Sequence, residues 1–222
     1  MNTILVANNL HKGYINGKTI TTVLDNISLS IYEHQIHLIM GKSGSGKTTL
    51  LNILAGLDKS FSGNVIYNKI SLYDLDDVKL SRLRGVDFGF VFQNFNLINE
   101  LNVSENILLP IKLNYLEFDN HYYEKLITSL DLKKLCKKHP NEISGGEMQR
   151  VSLARAIIAK PNILFADEPT GNLDKSNSNE IVKLLNQINY ELKTTVVIVT
   201  HDEKLITNPY ITYFLSDGKL LF

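Results

Sequence analysis

The chain has 222 residues, 44% of them hydrophobic and 21% charged, the make-up of a globular protein that can bury its own core and not that of a disordered segment. Its 23 Lys and Arg balance 23 Asp and Glu, so no global field draws it onto nucleic acid or anionic lipid, and no nucleic-acid partner is expected. A single cysteine, Cys136, excludes an internal disulfide, and an unpaired thiol suits a reducing compartment.

The N-terminus reads as lacking a signal peptide, since no basic segment precedes a long apolar run. No stretch of about 18 apolar residues reads as a spanning helix.

In chain order, Thr3 to Leu10 and Val23 to Ile31 read as strands, rich in β-branched and aliphatic residues around the Asn16-Gly17 turn signal. Tyr14 lies just before that turn. An aromatic there is ordinarily partial core, but beside a nucleotide it supplies the flat apolar partner that an adenine ring needs.

The apolar run Ile36 to Met40 then leads into Gly41-Lys42-Ser43-Gly44-Ser45-Gly46-Lys47-Thr48-Thr49, which fits G-x-x-x-x-G-K-[ST]. Leu50 to Ala55 continues as a helix. Glycines 41, 44 and 46 let successive N–H groups point inward, and the helix start adds its positive dipole end. This is a triphosphate cradle. Lys47 is placed to bridge the β- and γ-phosphates and the Thr48 hydroxyl to coordinate Mg²⁺.

Ser62 to Tyr67 reads as a strand, Asp76 to Arg84 as a short polar helix, and Val86 to Phe92 as an apolar strand ending at Gln93. A Gln at a strand end near a nucleotide can bind Mg²⁺ or water at one end and sense a partner at the other. From residue 95 to residue 160 the spacing turns helical, with Ser104 offered as an N-cap, Tyr122 to Leu130 continuing the pattern, and Pro110 and Pro140 as punctuation.

That region closes on Ser144-Gly145-Gly146-Glu147 at the head of another helix, a second potential anion site. Ile163 to Glu168 follows as a buried strand tipped by two carboxylates. Asp167 is placed to hold Mg²⁺ and Glu168 to orient and deprotonate the attacking water.

Ser176 to Leu192 reads as an amphipathic helix, and Thr195 to Thr200 as a buried strand delivering His201 to the edge where open α/β sheets bind ligands. The other histidines, at 11, 34, 37, 121 and 139, show no ligand spacing. Asp217-Gly218 marks a hairpin after Ile211 to Ser216.

Together these motifs resemble the ATPase subunit of ABC transporters over essentially the whole chain. Gly41 to Thr48 match its Walker A motif, Gln93 its Q-loop and Ser144 to Glu147 its signature. Asp167 with Glu168 match Walker B and its base, Gly171-Asn172-Leu173-Asp174 the D-loop, His201 the switch histidine, and Tyr14 the adenine-stacking aromatic. Wording such as Pro169-Thr170-Gly171-Asn172-Leu173-Asp174 resembles the group of lipoprotein-release, macrolide-export and antimicrobial-peptide ATPases.

The resemblance implies an α/β P-loop NTPase fold over residues 1–222, with a mostly parallel sheet, an antiparallel β subdomain and a helical insertion at 95–160. It also implies ATP and Mg²⁺ as ligands and an ATP-dependent homodimer in which Ser144, Gly145 and Gly146 act on the partner's nucleotide. A separate transmembrane permease would hold the protein on the inner face of the cell membrane and serve export or extraction.

Departures from the family pattern are Ile143 for Leu, Glu147 for Gln, Lys42 for Pro, and Glu33-His34-Gln35 for a Gly-Glu turn. None removes a catalytic group. A non-transport ABC ATPase acting on DNA or ribosomes is the alternative, but such proteins usually carry a coiled-coil insertion, metal-binding cysteines or two cassettes. A P-loop kinase or GTPase leaves Ser144-Gly145-Gly146 and His201 unexplained.

Overall fold

The computed structural model describes residues 1–17, 19–59, 61–202 and 210–221. In chain order the strands and helices are β1 (Thr3–Asn16), β2 (Thr19–Tyr32), β3 (Ile36–Met40), α1 (Lys47–Leu54), β4 (Ser62–Tyr67), β5 (Ile70–Ser71), α2 (Asp77–Asp87), β6 (Phe88–Val91), α3 (Val103–Leu113), α4 (Asn120–Ser129), α5 (Gly145–Ile157), β7 (Ile163–Asp167), α6 (Lys175–Leu192), β8 (Thr195–Thr200), β9 (Ile211–Ser216) and β10 (Lys219–Leu221). The chain divides into two compact units, residues 1–84 with 195–222, and residues 85–194.

The first unit holds an antiparallel sheet in the order β2-β1-β4-β5. It also holds a second sheet segment in which β3 runs parallel to both β8 and β9, and β10 closes a hairpin on β9. All five residues of β3 and all six of β8 are buried, the unalternating burial of parallel strands covered on both faces. Leu50, Ile53 and Leu54 of α1 are fully buried with Leu38, Ile39, Val197 and Val199.

The hairpin turn at Asp217 (φ 47°) and Gly218 (φ 75°) has both central residues left-handed, as a tight turn compatible with strand twist demands. Gly218 is needed for room as well, because a Cβ there would lie 2.8 Å from the Val23 carbonyl oxygen.

The second unit packs α5 against α3, α6 and β6, with β6 parallel to β7. Residues 95–160 here form α3, α4 and α5 with two 3-10 turns, the second opening at Pro140.

Several local expectations are corrected. The strand expected over Val86 to Phe92 spans Phe88–Val91, because α2 continues through Asp87. The N-cap of α3 is Asn102 and not Ser104. Asn102 adopts the extended cap conformation and exchanges hydrogen bonds with Glu105, accepting from its N–H at 2.9 Å and donating to its carboxylate at 2.9 Å. The Ser104 hydroxyl instead bonds the Tyr123 hydroxyl at 2.7 Å.

Pro110 does not punctuate either: it sits inside α3. The absent N–H removes only the bond to the Asn106 carbonyl, and the turn after Pro110, which ends at Leu113, is held by Asn114, whose backbone N–H (3.2 Å) and side-chain amide (2.9 Å) both donate to the Pro110 carbonyl.

Candidate nucleotide site

The loop between β3 and α1 has the form a phosphate cradle requires. Gly46, the N-cap of α1, is left-handed (φ 98°) and offers no side-chain acceptor, and no acid lies in the first turn. The first N–H groups of α1 therefore have no side-chain cap from Gly46, and the helix's own first turn carries no acid to offset its positive end.

Gly44 is left-handed (φ 79°) in open space, so conformation alone demands it. Gly46 is also crowded: an added Cβ would meet the Val23 carbonyl oxygen at 2.8 Å. Lys47 is nearly buried, and its ammonium donates to the carbonyls of Gly41 (2.9 Å) and Lys42 (3.0 Å). The loop thus holds a cation against its own carbonyls. Ser45 lies in the same curl with its hydroxyl buried and unpartnered within the protein.

The crowding at Gly46 has its origin in β2. Lys12 pairs with Leu24 and Gly13 with Thr22, so Val23 is an extra residue, a bulge that re-aims the strand. Its carbonyl lies against both Gly46 and Gly218, which ties the long hairpin to the phosphate loop.

Tyr14, on that hairpin, is 44% exposed. The Lys12 ammonium lies 4.9 Å from the centroid of its ring. In the same unit, Met40 pairs with Thr200, so His201 and Gly41 leave adjacent parallel strands at the same edge. His201 is exposed.

In the second unit Val91 pairs with Ala166, and Gln93, Asp167 and Glu168 emerge together at the carboxyl ends of β6 and β7. Glu168 has φ 43°, a conformation rarely adopted by residues other than Gly, Asn and Asp. The chain turns there, with the Gly171 N–H donating to the Glu168 carbonyl at 3.0 Å. Gln93 donates from Nε2 to Asn172 Oδ1 (3.2 Å), while Asn172 Nδ2 donates to the Gln93 carbonyl (3.0 Å) and Asn94 Oδ1 (2.9 Å).

Ser144 caps α5 in a reciprocal box with Glu147. The carboxylate accepts from the Ser144 N–H and hydroxyl, each at 2.7 Å, and these bonds hold it below the usual carboxylate range, the backbone bond most of all. Gly145 has only ordinary contact distances around it, with Leu173 3.9 Å from an ideal Cβ, whereas a Cβ on Gly146 would meet Asn177 Oδ1 at 2.3 Å. Gly146 lets the start of α5 close on the start of α6, where Asp174 is the N-cap.

Two residues missed in the sequence, Gln149 and Arg155, support this second cluster, and a third, Lys12, belongs to the first unit beside Tyr14. Gln149, fully buried, donates to the carbonyl of Pro169, next to Glu168, at 2.5 Å. Arg155 donates to the carbonyls of Phe95 (2.8 Å) and Asn96 (2.7 Å), both left-handed residues. Burial lowers the Arg155 pKa. Lys12 is 4% exposed and paired with Asp58 at 2.9 Å. Its only sequence signal is its place two residues before Tyr14 on one strand. Gln149 and Arg155 have none beyond a polar residue within an otherwise apolar helix face.

Of the departures, His34 adopts φ 59°, keeping the turn that glycine ordinarily makes. The Lys42 carbonyl takes part in the loop's own bonding, accepting from the Ser45 N–H at 3.2 Å as well as from Lys47.

Comparison with known proteins agrees with this layout. The family model described as "ABC transporter" matches residues 24–171. The lipoprotein-releasing system ATP-binding protein LolD of Blochmanniella floridana is 44% identical over 219 residues, 98% of this chain and 93% of the relative. The bacitracin export ATP-binding protein BceA of Halalkalibacterium halodurans is 39% identical, covering 98% of this chain and 87% of the relative. Among solved structures, the ATP-binding cassette MJ0796, a dimer in a post-hydrolysis state bound to ADP and Pi, matches with a TM-score of 0.88 at 38% identity over 98% of this chain and 96% of that one.

Among the described residues no helix is long and apolar enough to cross a membrane. The chain belongs to the ABC transporter family, as one of its ATP-binding, ATP-hydrolysing cassettes.

Proposed function

We propose that this cassette drives a separate transmembrane permease and that it works as an ATP-dependent homodimer on the inner face of the cell membrane. The observation that carries the reading is the uncapped, acid-free start of α1 behind left-handed Gly44 and Gly46, joined to the full set of family motifs. In this account Gly41 to Thr49 hold the phosphates through backbone N–H groups, Lys47 bridges the β- and γ-phosphates, and Tyr14 stacks on adenine.

Thr48, Gln93 and Asp167 offer the oxygen donors that suit Mg²⁺, a hard cation that keeps water and phosphate oxygens in its shell. Mg²⁺ supplies charge neutralisation on the phosphates. Glu168 takes the proton of the attacking water, and His201 orients the γ-phosphate. Ser144, Gly145 and Gly146, with Glu147 holding the serine, present a second helix start to the nucleotide of the partner cassette.

The domain reading is one ATPase domain over 1–222 with a helical insertion at 95–160. The relatives' names, lipoprotein release and bacitracin export, support cargo moved out of the cytoplasm or extracted from the membrane. Gentle solubilisation of membranes carrying tagged Glu168→Gln chain with MgATP tests the partner claim. A polytopic membrane protein recovered at one or two copies per cassette dimer supports it, and recovery with ribosomes or DNA-bound proteins alone contradicts it.

A further inference from the structure

Lys12 is a charged side chain in a place where charges are rarely found. It is 4% exposed, and its ammonium is bound by both oxygens of Asp58 at 2.9 Å. Asp58 is itself fixed, since its carbonyl accepts from the Tyr73 hydroxyl at 2.8 Å and its N–H donates to the Asn52 carbonyl of α1 at 3.2 Å. The Tyr73 hydroxyl also reaches the Ile53 carbonyl of the same helix. The ammonium is therefore anchored to the end of the phosphate-loop helix. It also sits 4.9 Å from the centroid of the Tyr14 ring.

A desolvated ion pair is a poor source of stability, because removing two charges from water costs about as much as their attraction returns. An ammonium over an aromatic face is attracted to the ring quadrupole most strongly when desolvated. An exposed tyrosine otherwise samples several rotamers, and a ligand that stacks on it must bear that ordering cost. Lys12 removes it, and in covering one face of the ring leaves the other for a base.

We propose that Lys12 is a positioning residue for the nucleotide base. Held by Asp58, it locks the Tyr14 ring as a one-sided platform in register with the phosphate-loop helix, so that it sets affinity for the adenine part of the ligand and not for the phosphates. The proposal rests on the reading of Tyr14 as the adenine-stacking residue.

The test is calorimetric titration of the wild-type chain and four variants with MgADP and, separately, with magnesium pyrophosphate. The variants are Tyr14→Ala, Lys12→Met, Lys12→Arg, and Lys12→Met combined with Asp58→Asn. Lys12→Met is expected to weaken ADP about five-fold while pyrophosphate stays within about two-fold. Lys12→Arg, which keeps a stacking cation, is expected to retain ADP affinity. The double variant, with no buried charge left unpaired, is expected to remain weak for ADP.

Equal losses on both ligands after Lys12→Met, or recovery of ADP affinity in the double variant, would show a merely structural pair and overturn the proposal. Weaker ADP binding in Tyr14→Ala with none in Lys12→Met sinks the Lys12 role alone. Unchanged ADP binding in Tyr14→Ala removes the stacking reading and the proposal with it.

Discussion

Gln93 and Asn172, 79 positions apart, clasp each other through side-chain and backbone bonds: Gln93 Nε2 to Asn172 Oδ1 at 3.2 Å, and Asn172 Nδ2 to the Gln93 carbonyl at 3.0 Å. Gly171 permits the approach, since a Cβ there would lie 2.9 Å from Gln93 Nε2. The glutamine at the end of β6 and the loop that follows Glu168 are therefore tied to each other. Asn172→Ala leaves the Gln93 carbonyl and amide without these partners. It is expected to lower kcat about ten-fold with KM for ATP little changed, because the phosphate loop is untouched. Steady-state kinetics separate the two parameters.

The two left-handed glycines of the phosphate loop differ in why they are glycine. Gly44→Ala meets open space and carries only the cost of a left-handed alanine, about 1–2 kcal/mol. Gly46→Ala adds a collision with the Val23 carbonyl, 2.8 Å from the new Cβ, and is expected to cost about 3 kcal/mol or more. Urea unfolding of the two variants should rank them in that order, with nucleotide affinity falling further in Gly46→Ala.

His37 makes stability depend on pH. It is fully buried on β3, lies between the rings of Tyr32 and Tyr213 with centroids 6.0 Å away on each side, and accepts from the Tyr32 N–H. Burial lowers its pKa to about 4 from an ordinary 6.5. The unfolded chain thus binds a proton at a higher pH than the folded one. The stabilisation from keeping His37 neutral is complete above about 6.5 and is lost as pH falls toward 4, by about 3 kcal/mol in all. Denaturant midpoints of wild type and His37→Gln from pH 7.5 to pH 4 should converge as the pH falls, because only the wild type carries this loss.

The signature serine is also a helix cap. Ser144→Ala removes the acceptor for the Glu147 N–H and the hydroxyl that bonds its carboxylate, and is expected to cost about 1 kcal/mol of stability. In the dimer account it also weakens ATP-dependent association. Sedimentation with MgATP checks the second effect and thermal melting the first.

The strands β3, β8 and β9 were legible to the residue because each is dominated by β-branched, aliphatic or aromatic side chains, and β4 because Val65-Ile66-Tyr67 follows directly on Ser62-Gly63-Asn64. The form of the loop between β3 and α1 was legible for a related reason: left-handed Gly44 and Gly46 and the helix start behind them are local features of the chain. What escaped depends on contacts remote in sequence. Pro110 reads as a helix break unless Asn114 is known to hold the turn that follows it. Ser104 and Asn102 are equally good caps until one of them adopts the extended backbone.

Lys12, Gln149 and Arg155 look like ordinary polar residues, and only folding brings Asp58, the Pro169 carbonyl, and the Phe95 and Asn96 carbonyls to them. The left-handed Glu168 was equally hidden, since nothing in the pair Asp167-Glu168 announces that the chain turns between its two acids.

The most direct test of the account is one experiment on Glu168→Gln: steady-state ATP hydrolysis, together with sedimentation of the same sample in MgATP. The account predicts that turnover falls by about two to four orders of magnitude while the 25.1 kDa chain sediments as a dimer that dissociates when ATP is replaced by ADP. Hydrolysis at the wild-type rate, or a monomer at saturating ATP, would contradict it.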